Sequence, residues 1–238
     1  MKLSTLSLSA VMLATTGTSA LAYDFNDKFY GKMTAGIDYS LEHSQGDMLD
    51  MYDWEKDMDS EASQYSHNLG VNVGYNVYYK ATSLIHPFAG LEITARIPLK
   101  NRMNLDVNYY NHASFNFKAG LKFNQVVKNF SLQPYAIFGV AILNYKNTNA
   151  DDTNAMIDDI NARDGLGFGD RLEYLKKNDI LPAINYGVGI ETIYDLSDNL
   201  SLTGGFEYKR IRATKKTRNN NIRLETDQFS FKFGVQFL

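Results

Sequence analysis

Three sets of residues in this 238-residue chain have types or spacing that suggest chemistry. The first is Asn111-His112-Ala113-Ser114, which puts an imidazole and a hydroxyl two residues apart. A base beside a nucleophile is the start of acyl-transfer chemistry, but that chemistry also needs a carboxylate to orient the base. The neighbouring strands bring no carboxylate clearly beside His112, so the pair reads as polar rim residues and the chain as non-enzymatic. His43, His67 and His86 are scattered without metal-ligand spacing. Asp151, Asp152, Asp158, Asp159, Asp164 and Asp170 do not follow the spacing of a calcium loop. No metal or cofactor is expected.

The second set consists of single charges embedded in apolar stretches: Asp38, Glu92, Arg96, Lys118, Lys122, Glu191, Glu207, Lys209 and Lys232. All but Lys209, which Arg210 follows, have apolar or small neighbours on both sides, and each sits on the polar face of a two-residue period. If they share one enclosure they must pair, because isolated buried charges are costly. A salt-bridged plug is the reading that follows, and a proton or ion path is its rival.

The third set is a charge asymmetry. Glu42 to Gln64 holds eight acids against Lys56, whereas Lys209 to Glu225 holds seven bases against Glu225. Arg210, Arg212, Lys215, Lys216, Arg218 and Arg223 form the basic stretch, expected in the final outward loop as a candidate contact for lipopolysaccharide phosphates or sulfated glycans. The two stretches also have the charges to pair with each other. Trp54, the only tryptophan, lies within the acidic one.

The elements that must position these residues are strands. From Phe29 to Leu41 the odd positions are apolar apart from glycine, while the even positions from Tyr30 to Glu42 are mostly polar. Seven further stretches repeat the pattern, around Leu69–Tyr79, Ala89–Ile97, Ala113–Phe123, Phe130–Ile142, Ile184–Ile190, Leu200–Tyr208 and Phe229–Phe237. Strands of about 12 to 16 residues are longer than most soluble strands and suit a tilted bilayer crossing. Glycine and ionisable residues crowd the polar face, and aromatics such as Phe29, Tyr79, Phe130 and Tyr194 mark strand ends. The gaps alternate: Lys80–Leu84, Asn124–Asn129 and Asp195–Asn199 are short, while His43–Gln64 and Lys146–Ile180 are long. Pro98–Asn111 and Ala213–Leu224 are of medium length. Short periplasmic turns and long outer loops are the habit of a membrane barrel. Ala155-Met156-Ile157 with Ile160, and Leu172 with Leu175, suggest short helices over the barrel mouth.

Class follows from the same reading. Lys2, an apolar run from Leu3 to Ala14 and Ala20-Leu21-Ala22 form a signal peptide over residues 1–22, leaving 23–238 as the barrel. An exported chain with no cysteine is not a disulfide-stapled domain. The expected fold is all-β: an eight-stranded antiparallel up-and-down transmembrane β-barrel with long extracellular loops. It is expected in a bacterial outer membrane, with lipid and lipopolysaccharide as surroundings and no nucleic acid as partner.

On these strands and on the phenylalanine-rich ending Phe229-Ser230-Phe231-Lys232-Phe233-Gly234-Val235-Gln236-Phe237-Leu238, the chain resembles the small outer-membrane barrels of the opacity-protein, OmpX and OmpA-barrel type. The resemblance covers Tyr23 to Leu238 as architecture, with Leu238 displacing the terminal aromatic by one place. It implies recognition of the last strand by the outer-membrane assembly machinery. It also implies a surface role, often adhesion to a host protein or glycan. The His112-x-Ser114 pair is similar to that of the outer-membrane lipid A deacylase, but alternation turns it inward. A lipid-modifying hydrolase, a narrow porin-like channel and a soluble periplasmic ligand-binding barrel are the alternatives.

Overall fold

The computed structural model describes residues 28–45, 63–102, 107–147, 155, 158, 178–216 and 221–237. Residues 1–22, Trp54, Arg218, Leu238 and most of the acidic first connection therefore lie outside the described residues, as does most of the third connection. Ala155 and Asp158 are exposed helical positions, all that is described of the short helices expected there.

Eight strands form: β1 (Phe29–Gln45), β2 (Ser63–Tyr79), β3 (Ile85–Arg102), β4 (Val107–Val127), β5 (Phe130–Asn147), β6 (Asn178–Ser197), β7 (Leu200–Lys216) and β8 (Asn221–Phe237). Each pairs antiparallel with the next, and β8 pairs with β1 to close the barrel. The strands are 17 to 21 residues long, longer than expected. The two medium gaps consequently shrink to residues 103–106 and 217–220. The β2–β3, β4–β5 and β6–β7 connections gather at one end, here the turn end, and the β1–β2, β3–β4, β5–β6 and β7–β8 connections at the other, the loop end. At the β4–β5 turn, Asn129 takes a φ of 63°, a left-handed conformation that asparagine tolerates.

Closure sets the stagger. Ala35 pairs with Val73, and the partners continue through Ile93, Phe115, Val140, Ile184, Arg212 and Glu225. Glu225 returns to β1 at Gln45, ten residues beyond the start. Such a shear tilts the strands by about 35–45° and leaves an interior wide enough only for side chains. A strand of 17 residues is then roughly 56 Å long and rises roughly 40 Å, more than the ~25 Å apolar band of a membrane barrel.

Alternation divides the wall. Along β1, Asp38, Ser40, Glu42 and Ser44 are buried while Ile37, Tyr39 and Leu41 are exposed. Two interior glycines make room for large neighbours. A Cβ on Gly189 would stand 2.3 Å from the Tyr135 ring, and one on Gly70 would stand 2.6 Å from the Asp38 carboxylate. The interior is thus filled by side chains that interlock with glycine across the lumen.

Candidate functional site

The lumen is layered from the turn end upward. Its floor is aromatic. Tyr78, fully buried, stacks on Tyr30 at 4.8 Å and on Phe88 at 5.4 Å. The Tyr78 hydroxyl donates to Gln133 Oε1 at 2.9 Å and accepts from Gln236 Nε2 at 2.8 Å. Lys122 points into this layer, with its Nζ 5.7 Å from the Tyr78 ring. Here polar atoms on β2, β5 and β8 are tied across the barrel, as a buried phenol requires.

Above the floor lies the charged layer. Lys232 Nζ reaches both Glu92 oxygens at 2.8 Å and Glu207 Oε2 at 3.0 Å. Lys118 Nζ meets Glu92 Oε2 at 2.5 Å and Glu191 Oε1 at 3.2 Å. Lys209 Nζ pairs with Glu207 Oε1 at 2.9 Å, and Tyr135 donates to Glu207 Oε2 at 2.8 Å. Three lysines and three glutamates from β3, β4, β6, β7 and β8 form one knot. Each acid meets at least one ammonium, which offsets much of the cost of enclosing six charges.

A second knot follows. Arg96 Nε donates to Asp38 Oδ1 at 2.6 Å, and Arg96 NH1 donates to His112 Nε2 at 3.0 Å. An arginine cannot accept, so His112 Nε2 is the acceptor and its Nδ1 carries the proton. That Nδ1 lies 3.7 Å from Glu42 Oε1, and Glu42 accepts from Gln228. Sequence reading put Glu42 on the polar face of the first strand and also in the acidic stretch, left it out of the lumen charges, and found no carboxylate beside His112. In the structure β1 continues to Gln45, so the parity that buries Asp38 also buries Glu42 and adds it to this knot. Ser114 is inward as expected, but with Nε2 taken by Arg96 the imidazole has no nitrogen left to accept its proton.

Eight of the nine expected lumen charges therefore meet in two knots, while Lys122 stands apart in the floor. Missed by sequence reading were Glu42, His112 and Tyr135 as partners, and the aromatic floor as a layer.

At the loop end the wall reverses. Leu143, Leu181, Ile211, Ala213 and Leu224 point inward and are buried. On the outside of the same strands, Arg210 holds Asp227 through Nε at 2.8 Å and NH2 at 3.0 Å, and Arg212 Nε meets Glu225 at 3.1 Å. Arg210 and Arg212 were expected in an outward loop; the structure places them on the outer face of β7, paired across to β8. Lys215 and Lys216 end β7, and Arg223 lies on the exposed face of β8. Beside them, His43 stacks on Tyr65 at 4.5 Å, and Tyr208 donates to Asp227 at 2.6 Å.

Below that rim the outside is a continuous apolar belt: Leu91, Phe117, Phe138, Val188, Phe206 and Phe233 are all exposed, while charge and amide groups fill the inside. A water-soluble barrel has the opposite polarity. A closed sheet with its oily side out belongs in lipid, where every backbone group must be paired. The chain is an eight-stranded antiparallel transmembrane β-barrel.

Among solved structures, the barrel is similar to Neisserial surface protein A, at 12% identity over 86% of this chain and 96% of that one, with a TM-score of 0.46. It is also similar to Ail, the attachment invasion locus protein of Yersinia pestis, in complex with the heparin analogue sucrose octasulfate. There the identity is 13% over 87% and 99% of the two chains, with a TM-score of 0.37. OprG from Pseudomonas aeruginosa matches at 11% over 87% and 95%, also with a TM-score of 0.37. These likenesses concern fold alone. No protein-family model and no curated protein sequence matches the chain.

Proposed function

We propose that the protein is a non-conducting surface barrel of a bacterial outer membrane, acting from its loop end in adhesion or envelope contacts, without catalysis or transport. The observation that carries this reading is the filled lumen. The cavities beside Glu42, Arg96 and His112 and beside Glu92 and Lys232 hold about 10 Å³ each. That is room for roughly one water, far short of an aqueous path. Purified protein in planar bilayers is expected to give no steady conductance. Reproducible nanosiemens-scale openings would overturn the reading.

The loop end stands beyond the apolar band in this reading, at the cell surface, and β8 serves as the segment read by the assembly machinery. Polyanions, either lipopolysaccharide phosphates or sulfated glycans, are the partners that the basic stretch favours. Since Arg210 and Arg212 already meet Asp227 and Glu225, that affinity is assigned to Lys215, Lys216 and Arg218, at and just after the end of β7 in the sequence. Replacing those three by Ser is expected to weaken heparin or lipopolysaccharide binding and to flatten its salt dependence. A triple variant that binds as well as wild type at low salt sinks the assignment.

A further inference from the structure

An open concavity of about 500 Å³ indents the outer face of the barrel at the loop end, lined by His43, Tyr65, Tyr208, Asp227 and Phe229. The register explains how it is built. Arg210, Asp227, His43 and Tyr65 form one lateral row across β7, β8, β1 and β2, and Tyr208 pairs with Phe229 in the row on the turn-end side. Two ring pairs frame the hollow: His43 on Tyr65 at 4.5 Å, and Tyr208 beside Phe229 at 5.0 Å. Tyr65 and Phe229 are still 56% and 55% exposed, so both rings keep open surface despite those pairings.

Charge is cancelled at this lining. Asp227 accepts from Nε and NH2 of Arg210 and from the Tyr208 hydroxyl, so neither the carboxylate nor the guanidinium is left to draw an ion. What remains is aromatic surface edged by groups that bond to neutral partners. An ionised carboxyl group has about four lone-pair sites, and three hydrogen bonds reach Asp227, so one hydroxyl can still donate to it. A tyrosine hydroxyl such as that of Tyr65 both donates and accepts, and so does a neutral imidazole such as that of His43.

The matching ligand is uncharged, with an apolar face to lie on a ring and hydroxyls around its edge. A sugar ring has that form. Its C–H face makes weak contacts with π surface, and its hydroxyls pair with the polar edge. The volume agrees with small-molecule sites, which are concave, rich in aromatic surface and about 300–1,000 Å³ in size.

Position selects the source of the sugar. The hollow lies where the outer face changes from oily to charged, the level at which aromatic girdles meet lipid headgroups. On its turn-end side Phe206 and Phe231 are exposed in the apolar belt. Acyl chains along the belt, a sugar ring in the hollow and its outer hydroxyls toward the loop end follow the covalent order of a glycolipid. We infer that the hollow is a saccharide site, holding the uncharged sugar ring of a membrane glycolipid against Tyr65 and Phe229, with hydroxyls toward Asp227 and His43.

The inference rests on the reading of the apolar belt as lipid-facing, and the test separates the two. Full-length protein in a polyoxyethylene detergent is exposed to equal amounts of monoglucosyl diacylglycerol, diacylglycerol and phosphatidylglycerol with identical acyl chains, and bound lipid is read by native mass spectrometry. The glucosyl lipid is expected to be retained on the order of tenfold more than either of the others, at low and at high salt alike. Tyr65→Ala with Phe229→Ala is expected to erase that preference and leave diacylglycerol retention unchanged. Should this variant fail to fold, Phe229→Leu decides instead: it keeps apolar bulk without a ring face and is expected to lower retention of the glucosyl lipid alone. Methyl glucoside, which lacks acyl chains, is expected to compete only weakly; competition on equal terms overturns the glycolipid as source. Equal retention of all three lipids, or a preference that vanishes at high salt, overturns the saccharide site and leaves the barrel reading intact. Retention of no lipid at all overturns both.

Discussion

The two ends of this barrel wall are built on opposite principles, although the backbone alternation never breaks between them. Through the apolar belt, Glu207 and Lys209 point into the lumen while Phe206 and Tyr208 point out. Two residues later the same parity buries Ile211 and Ala213 and exposes Arg212. β8 does the same in reverse, passing from buried Leu224 and outward Glu225 to buried Lys232 and outward Phe231. A strand obeys sterics, which fix which side each residue takes. Solvent then decides which side may be oily. In lipid the outside is apolar and the inside must hold its own charges. Beyond lipid the same closed sheet can take the soluble arrangement. The residue where the polarity of a strand switches sides is therefore a sequence-level marker of where the membrane ends.

The largest effect should come from the enclosed charges, where the lower region is most exposed to damage. Glu92 serves Lys118 and Lys232 together. Glu92→Ala leaves both ammonium groups short of a partner, and breaking a buried pair costs about 3–5 kcal/mol. Reversible urea unfolding from lipid vesicles measures it. A loss below about 1 kcal/mol would mean that water screens the knot, contrary to a filled lumen.

A matched pair of substitutions on the outer face sharpens the contrast between the regions. Leu91→Arg puts a cation against lipid near the middle of β3, at an expected cost of about 2–4 kcal/mol. Thr214→Arg makes a similar change on the exposed outer face of β7 beyond the switch, and should cost less than about 1 kcal/mol. Equal costs in the same unfolding assay would erase the boundary drawn between Tyr208 and Arg210.

That boundary bears on how much of the molecule was legible in its sequence. Strand number, order and the facing of most lumen charges were readable, because period two is a steric property that survives any environment. The errors share one cause: faces were assigned by polarity where parity was the better guide. Glu42 was left out of the lumen charges because acids cluster after it, although it shares the polar face of buried Asp38 and Ser40. Arg210 and Arg212 were placed in a loop because a charged outer face looked like the end of a strand. In β5 the outward face was read correctly as Phe130, Leu132, Ala136, Phe138, Val140 and Ile142, but inward Tyr135, Ile137, Ala141 and Leu143 are almost as apolar, so the contrast there is weak. The knots themselves depend on a stagger of ten residues, a global property of closure that no single strand reveals.

The smallest expected effect concerns the outer charge pairs, and it tests whether the loop end behaves as a water-exposed surface. Arg212 and Glu225 meet at 3.1 Å, but their side chains are 46% and 33% exposed. At such exposure solvent and salt screen the attraction, and ordering two long side chains opposes it. A double-mutant cycle of Arg212→Ala and Glu225→Ala should therefore give a coupling of only about 0.2–1 kcal/mol, falling toward zero in 1 M salt. Arg210 and Asp227 should couple somewhat more strongly, because the contact is bidentate and Tyr208 holds the same carboxylate. Suppose instead that the Arg212–Glu225 coupling exceeded 2 kcal/mol and ignored salt. The pair would then have to be shielded from water, and the loop end would belong to the same dry environment as the belt below it.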